Sequence, residues 1–145
     1  MPLDQIFSLA SGLAMLGWLL LVIAPINRRW MVRGARIIVA TLCGGYAVLL
    51  VHALTSGPGA PAGAGFGTLD GVAALFSARG ALLAGWVHYL AFDLFTGAWE
   101  VENAPEHGIS HWLVLPCLFF TLMAGPVGLL LYLLLRASLG RPRFA

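Results

Sequence analysis

The stretch ALLAGWVHYLAFDLFTGAW, residues 81–99, decides the fold class of this chain. As an α-helix it is long enough to cross the hydrocarbon core of a bilayer, about 30 Å, and it holds one carboxylate, Asp93. The rest of the chain has the same character, since 60% of its 145 residues are hydrophobic and 10% are charged. A soluble domain of this size needs more polar surface. The sequence therefore predicts an all-α integral membrane protein, because helices satisfy their own backbone hydrogen bonds in lipid.

Three further apolar stretches accompany this segment. They cover residues 5–24, 37–54 and 112–135. Together with 81–99 they predict a polytopic protein with four transmembrane helices in a single domain, residues 1–145. The last stretch contains Pro116 and the pair Gly125-Pro126, which predict kinks. Its length suits one tilted crossing and is too short for two.

A different composition separates the second and third spans. Residues 55–67 are rich in glycine and proline, which predicts a flexible or extended loop. Residues 68–78 are too few to cross a bilayer. We expect a short interfacial or re-entrant helix there, with Thr68 as its N-cap and Asp70 near its positive end.

The charge pattern bears on membrane orientation. The eight basic residues are all arginines and give a net charge of +2, too weak and too scattered for a nucleic-acid-binding protein. A four-span topology places four arginines on each side of the membrane. The two sets are Arg28, Arg29, Arg33 and Arg36 in the first loop, and Arg79, Arg136, Arg141 and Arg143 on the opposite side. Because the first loop usually dominates, we expect both termini outside the cytoplasm.

Asp93 is the leading candidate for a functional residue. An ionised carboxylate near mid-membrane costs at least about 2.5 kcal/mol, so this side chain needs a partner, a water-filled cavity or a proton. His88 is the second candidate, as a general base or as a polar link to another helix. On a helix the two residues lie on opposite stripes, so a shared site requires help from neighbouring helices. The alternative role for Asp93 is a structural hydrogen bond between helices.

The polar segment EVENAPEHGISH, residues 100–111, is predicted as the loop before the last span. We expect no metal cofactor. The side chains of Glu100, His107 and His111 are of types that bind iron or zinc. However, the sequence contains no Glu-x-x-His pair of the kind found in di-iron bundles. The alternative is an ion-pair network between the acids of this segment and the arginines of the first loop, which the four-span topology places on the same side.

Aromatic side chains are frequent near Asp93. Trp86 and Tyr89 lie on its stripe of the third span, while Phe92 and Trp99 lie on the stripe of His88. These four residues are candidates for a slot that binds a flat or polyene lipid, although aromatic residues in membrane helices also serve as packing and interfacial groups.

Two runs of sequence resemble a known family. FSARGALLAGWVHYLAFDLFTGAWE, residues 76–100, and ISHWLVLPCLFFTLMAGPVGLLLY, residues 109–132, are similar to the abscisic-acid-deficient-four-like family of small membrane proteins. The similarity extends to FSLASGLAMLGWLLL near the N-terminus. It is most specific at residues 86–88, 93–95 and 125–128.

The resemblance implies a role in carotenoid metabolism, since plant members are chloroplast membrane proteins needed to make neoxanthin from violaxanthin. Converting an epoxide to an allenic alcohol requires an acid and a base but no redox cofactor. Asp93 and His88 are compatible with that pair, and His111 matches the family's histidine before the last span and is a third catalytic candidate. The chain shows no plastid transit extension, and its lysine-free, arginine-rich composition looks bacterial. We therefore expect a bacterial inner membrane protein whose ligand is another carotenoid or an isoprenoid.

Two functions follow from these expectations. The first is a cofactor-free carotenoid or isoprenoid isomerase of the epoxide-to-allenic-alcohol type. The second is a non-catalytic membrane subunit that binds membrane lipid or pigment, or that supports a partner membrane enzyme or a homo-oligomer. A proton-coupled carrier is disfavoured, because four spans show no inverted repeat.

Overall fold

The structure is a computed structural model that describes residues 2–55 and 59–139. Regular structure within these residues is helical throughout. The helices are α1 (Leu3–Val22), α2 (Arg28–Thr55), α3 (Leu69–Ser77), α4 (Arg79–Glu106), α5 (His111–Met123) and α6 (Gly125–Leu139). Three of them, α1, α2 and α4, are long and apolar enough to cross a membrane. The chain is therefore all-helical as predicted, whereas the count of four spans is not confirmed.

Helix α4 is the centre of the bundle, because it contacts each of the other five helices. Its 28 residues extend about 42 Å at the usual helical rise, longer than the hydrocarbon core. We name the two ends of the bundle after its terminal residues, the Arg79 end and the Glu106 end. Asp93 lies midway between them.

Helix α1 lies parallel to α4. At the Arg79 end, Asp4 accepts a hydrogen bond from Arg79 at 2.6 Å. Farther along, Gly17 lies so close to α4 that a Cβ on it would collide with the side chain of Leu94. The absence of a side chain on Gly17 therefore lets the two helices approach closely at mid-height.

Helix α2 runs in the opposite direction. A short 3₁₀ turn, Ala24–Ile26, reverses the chain between α1 and α2. Arg36 of α2 forms an ion pair with Glu102 near the Glu106 end. Farther along α2, the ring of Tyr46 lies 5.6 Å from the ring of His88. The predicted contact between the acidic segment and the arginines after the first span is therefore present at Arg36 and Glu102.

Helix α3 is the short helix between the second and third long helices. The hydroxyl oxygen of Thr68 accepts a hydrogen bond from the backbone N–H of Gly71 at 3.0 Å, which satisfies one of the free donors at the helix start. Asp70 lies in the first turn. The ring of Phe76 packs over Gly85, where a Cβ would overlap it. Helix α3 is thereby held against the first turns of α4.

Helix α4 continues beyond its predicted end at residue 99, so that Glu100, Glu102 and Glu106 are helical rather than part of a loop. The helix ends at Glu106, and Gly108 follows with a φ of 69°, a left-handed conformation that glycine adopts without steric cost. The N–H of Ile109 bonds the carbonyl of Ala104 at 2.9 Å, and that of Gly108 bonds Pro105 at 3.1 Å. These two bonds form a Schellman motif, which fixes the end of the helix.

The structure replaces the predicted single helix over residues 112–135 with two shorter ones. The break lies at Ala124, whose φ of −157° and ψ of 76° are not helical. Pro126 follows, and proline can neither bond the carbonyl four residues earlier nor fit beside it in a straight helix. That carbonyl, on Leu122, instead accepts a hydrogen bond from the hydroxyl of Tyr89 at 3.2 Å. Pro116, in contrast, lies inside α5 without ending it.

Helix α5 enters the bundle from the Glu106 end and runs antiparallel to α4. At its start, the Nε2 atom of His111 lies 3.0 Å from the carbonyl oxygen of Val22, the last residue of α1. Near its end, the hydroxyl of Thr121 donates to Glu100 at 2.9 Å. The helix has 13 residues, about 20 Å, and reaches only the middle of α4.

Helix α6 runs back toward the Glu106 end, where α5 begins. Its first residue, Gly125, lies against Asp93 at mid-height. About two turns later, the hydroxyl of Tyr132 donates to the side-chain oxygen of Asn103 at 2.9 Å. Helices α5 and α6 therefore form a hairpin whose two outer ends both lie at the Glu106 end, and Leu139 lies at the opposite end of the bundle from Leu3.

This hairpin changes the distribution of charge. Of the six arginines in the described residues, five lie at the Glu106 end and one lies at the Arg79 end. The five are Arg28, Arg29, Arg33, Arg36 and Arg136. The four-span topology placed Arg136 on the side of Arg79, and the structure places it at the opposite end instead. Arg141 and Arg143, which that topology also placed beside Arg79, lie outside the described residues.

Candidate functional site

Two buried acids, Asp93 and Glu100, lie two turns apart on α4 and face the α5–α6 hairpin. A spacing of seven residues places side chains on one face of a helix. Asp93 is 9% exposed and Glu100 is fully buried. Buried carboxylates in an apolar bundle need a proton, a hydrogen bond or a counter-charge. The partners of these two groups therefore define the candidate site.

Asp93 lies at the tip of the hairpin. Its carboxylate occupies the space beside the α-carbon of Gly125, where a Cβ would overlap Oδ1. Gly125 is the first residue of α6, so the carboxylate lies at the positive end of that helix. The Oδ2 atom is buried and has no hydrogen-bond partner among the described residues. This oxygen therefore has an unused hydrogen-bonding position inside the bundle.

Tyr89 lies one turn from Asp93, and its hydroxyl is close to the Asp93 carboxylate. The same hydroxyl donates to the carbonyl of Leu122, which the break before Pro126 leaves available. Tyr89 therefore connects the acid to the hairpin. A tyrosine hydroxyl both donates and accepts, so the pair Tyr89 and Asp93 can pass a proton.

Glu100 is fixed by α5. Its Oε1 atom accepts a hydrogen bond from Thr121 at 2.9 Å, while its Oε2 atom is buried without a partner among the described residues. Gly128 of α6 packs against Thr121 so tightly that a Cβ on it would overlap the threonine backbone. Helical periodicity in the sequence already places Glu100 on the stripe of Asp93, seven residues away. Glu100 was nevertheless assigned to the loop after the third span, as a weak metal ligand or a member of an ion-pair network, and was not predicted as part of the site.

His88 lies on another face of α4. Its ring stacks on that of Phe92, with the centroids 4.6 Å apart, and lies 5.6 Å from Tyr46 of α2. Phe92 is 59% exposed on the outside of the bundle. The structure therefore places His88 toward α2 and the bundle surface, while Asp93 faces the hairpin, and it does not bring the two predicted catalytic residues together.

The three residues considered as metal ligands, Glu100, His107 and His111, each bond a different partner and are not brought together. Glu100 is bonded to Thr121, the Nδ1 atom of His107 lies 3.1 Å from the Asn103 carbonyl, and His111 lies against the Val22 carbonyl. Among residues 2–55 and 59–139 no cluster of three histidine, cysteine or acidic side chains is arranged to hold a metal ion. His111 is buried at the base of α5, away from the hairpin tip.

An apolar cavity of about 470 Å³ lies at the Arg79 end, between α1, α3 and α4. Its lining consists of Leu3, Asp4, Phe7, Phe76, Arg79, Leu82, Leu83, Gly85, Trp86 and Tyr89. The Trp86 ring lies 5.5 Å from those of both Phe7 and Tyr89. Its indole N–H donates to Ser11 at 3.0 Å, which fixes the ring. The cavity is therefore walled by aromatic groups and reaches Tyr89, the neighbour of Asp93.

Of the four predicted substrate-binding residues, Trp86 and Tyr89 line this cavity, whereas Phe92 and Trp99 do not. Trp99 lies toward the Glu106 end, edge-on to Tyr132 at 5.4 Å. The guanidinium of Arg136 lies over its ring at 5.8 Å. Trp99 thus packs α6 onto α4.

Comparison with known proteins supports the resemblance noted from the sequence. No curated protein and no solved structure matches the chain. The model of the ABA DEFICIENT 4-like family matches residues 5–132, which include α1, α2, α3, α4, α5 and the first half of α6. Because this match covers most of the chain, the protein belongs to the ABA DEFICIENT 4-like family.

Proposed function

We propose that the protein binds a carotenoid or another isoprenoid in the aromatic cavity and isomerises it without a cofactor, with Asp93 and Tyr89 as the proton-transferring groups. One observation carries this proposal. The Asp93 carboxylate has a buried oxygen without a hydrogen-bond partner and lies beside Tyr89, which lines the cavity. Membership of a family related to neoxanthin synthesis supports a carotenoid-type ligand.

The proposed reaction opens an epoxide to an allenic alcohol and moves protons only. Asp93, in its protonated form, supplies a proton through the hydroxyl of Tyr89 to the epoxide oxygen as the carbon–oxygen bond breaks. The hydroxyl oxygen of Tyr89 then takes a proton from carbon while it returns its own proton to the Asp93 carboxylate, which forms the allene and restores Asp93. One proton leaves the pair and one returns, so no oxidant or second base is required. His88 takes no part in these proposed proton transfers.

The cavity size is consistent with one end group of a carotenoid. At about 470 Å³ the cavity is large enough for a ring, and its position at the edge of the bundle lets the polyene extend into lipid. The lining is almost entirely apolar, apart from the Asp4–Arg79 pair at the Arg79 end. An apolar pocket with a few convergent polar groups is the usual form of a small-molecule site.

We further propose that α1, α2 and α4 cross the membrane and that the α5–α6 hairpin enters it and returns. The five arginines at the Glu106 end then lie in the cytoplasm, by the positive-inside rule. The aromatic cavity opens toward the other side. The bacterial inner membrane is the membrane that we propose.

The test compares pigments from cells that express the wild type, Asp93→Asn, Tyr89→Phe or His88→Ala and receive an epoxy-carotenoid. Removal of a general acid or base typically lowers a rate about 100-fold or more. We expect that loss for Asp93→Asn and Tyr89→Phe and little change for His88→Ala. Tyr46→Phe is the matched control, because it removes a hydroxyl outside the cavity. Equal conversion by wild type and Asp93→Asn at equal membrane abundance would exclude the reaction.

A second function, a non-catalytic membrane subunit, is favoured by the tight fit between Asp93 and Gly125. In that case the carboxylate holds the hairpin tip against α4, and the protein supports a partner membrane enzyme or binds pigment. Asp93→Asn would then disappear from the membrane, and no pigment would differ between cells with and without the wild type. The abundance measurement therefore distinguishes the two functions.

A further inference from the structure

A second cavity, of about 680 Å³, lies at the Glu106 end between the first turns of α2 and the last turns of α4. Its lining consists of Arg28, Arg29, Val32, Arg33, Arg36, Glu102 and Glu106. It shares no lining residue with the aromatic cavity. We call it the arginine cavity.

The charges around the arginine cavity favour an anion. Four arginines face two glutamates, and one of these glutamates, Glu102, is already paired with Arg36. The Nε atom of Arg28 is buried and has no hydrogen-bond partner among the described residues. The cavity also surrounds the start of α2, which is the positive end of that helix. Arginine guanidinium groups bind phosphate through paired hydrogen bonds, so a phosphate group matches these donors.

Apolar side chains next to the cavity indicate that the anion carries a lipid tail. Trp30 is 63% exposed, and Ile26 and Ile37 are more exposed still, on the outside of the same region. The Trp30 ring lies 5.3 Å from the guanidinium of Arg33. Tryptophan next to arginine at the end of an apolar helix is typical of the boundary between headgroups and hydrocarbon. A soluble anion without a hydrocarbon tail would make no favourable contact with these apolar side chains.

We propose that the arginine cavity binds the phosphate of an anionic phospholipid headgroup, with Arg28, Arg29 and Arg33 as the main donors. The acyl chains lie along the exposed apolar face of α2. Basic pockets between membrane helices bind anionic headgroups in this way. The proposal is independent of the isomerase reaction, because it uses the other end of the bundle.

The test is native mass spectrometry of the full chain in detergent with phosphatidylglycerol or phosphatidylcholine added. We expect the wild type to retain phosphatidylglycerol preferentially. Arg29→Gln should weaken this retention about fivefold and the double variant Arg29→Gln, Arg33→Gln about 25-fold, since the contributions of separate cations near a headgroup add. Glu106→Gln removes a negative charge from the cavity and should strengthen retention.

Arg136→Gln is the matched control, because Arg136 lies at the same end and outside the cavity. We expect unchanged retention for this variant. The proposal is overturned if Arg136→Gln weakens retention as much as Arg29→Gln, which would indicate a general surface charge effect. It is also overturned if the two lipids are retained equally, or if inorganic phosphate at the lipid's concentration displaces phosphatidylglycerol, which would indicate a site for a soluble anion.

Discussion

The carboxylate of Asp93 fills the space that a side chain on residue 125 would need. An ideal Cβ on Gly125 would lie 2.7 Å from the Asp93 Cγ, closer than real Cβ atoms approach other groups. The polar centre of α4 and the tip of the α5–α6 hairpin therefore fit together only because residue 125 is glycine. The buried acid and the break in the last apolar stretch are thus parts of one arrangement.

Gly125→Ala should separate the hairpin tip from α4. Overpacking of a tight contact costs about 1–3 kcal/mol, and here the neighbouring group is a carboxylate that has to move. We expect a lower free energy of unfolding in detergent. Gly12→Ala is the control, because a Cβ on Gly12 meets no atom within 4 Å and alanine is the better helix former. Equal stability of the two variants would show that the contact does not exist.

Labelling of single cysteines should show that both ends of the hairpin lie on the same side of the membrane. In a background of Cys43→Ala and Cys117→Ala, an impermeant thiol reagent should modify Ser110→Cys and Ser138→Cys from one side. Ser77→Cys should react from the other side. All three serines are exposed. A fourth full crossing between residues 110 and 138 would instead give opposite labelling of these two positions.

Thr121→Val should destabilise the protein, because it removes the hydrogen bond to Glu100 and leaves a fully buried carboxyl group without a partner. An unsatisfied buried polar group costs about 1–3 kcal/mol. Thr41→Val is the matched control, since the hydroxyl of Thr41 is exposed and bonds only the Ile37 carbonyl of its own helix. Chemical unfolding of both variants measures the difference, and a loss for Thr41→Val as large as for Thr121→Val would contradict the role of Glu100.

Tyr132→Phe should loosen α6 from α4. The Tyr132 hydroxyl donates to Asn103, which also accepts from Arg136 at 3.1 Å. Removal of this hydroxyl should cost about 1 kcal/mol, the usual net value of one hydrogen bond. Tyr46→Phe is the control, because the Tyr46 ring that packs against His88 is kept, and we expect this variant to be near neutral. The measurement is thermal unfolding of both variants in one detergent; equal shifts would argue against the Asn103 contact.

Part of the candidate site could be predicted from the sequence and part could not. Asp93 was identifiable because a carboxylate in an apolar span is costly wherever its partners lie. His88 was paired with it by chemical type, although helical periodicity already placed the two on different stripes. Glu100 was assigned to a loop, because Pro105 and Gly108 suggested an early end of the helix. The Schellman motif at Gly108 shows that the helix continues through Pro105.

The amino-acid sequence was sufficient to predict that the chain lies in lipid, that it is helical and which family it resembles. Apolar stretches such as residues 81–99 prefer lipid and form helices there whatever else surrounds them, because their backbone groups must bond within the segment. Hydropathy, however, carries no direction, and residues 112–135 are equally apolar whether they cross a bilayer or return. The return of this stretch is visible in the folded structure alone, where Asp93 contacts Gly125, Glu100 contacts Thr121 and Asn103 contacts Tyr132. Each contact joins separate helices, so no local pattern in the sequence contains it.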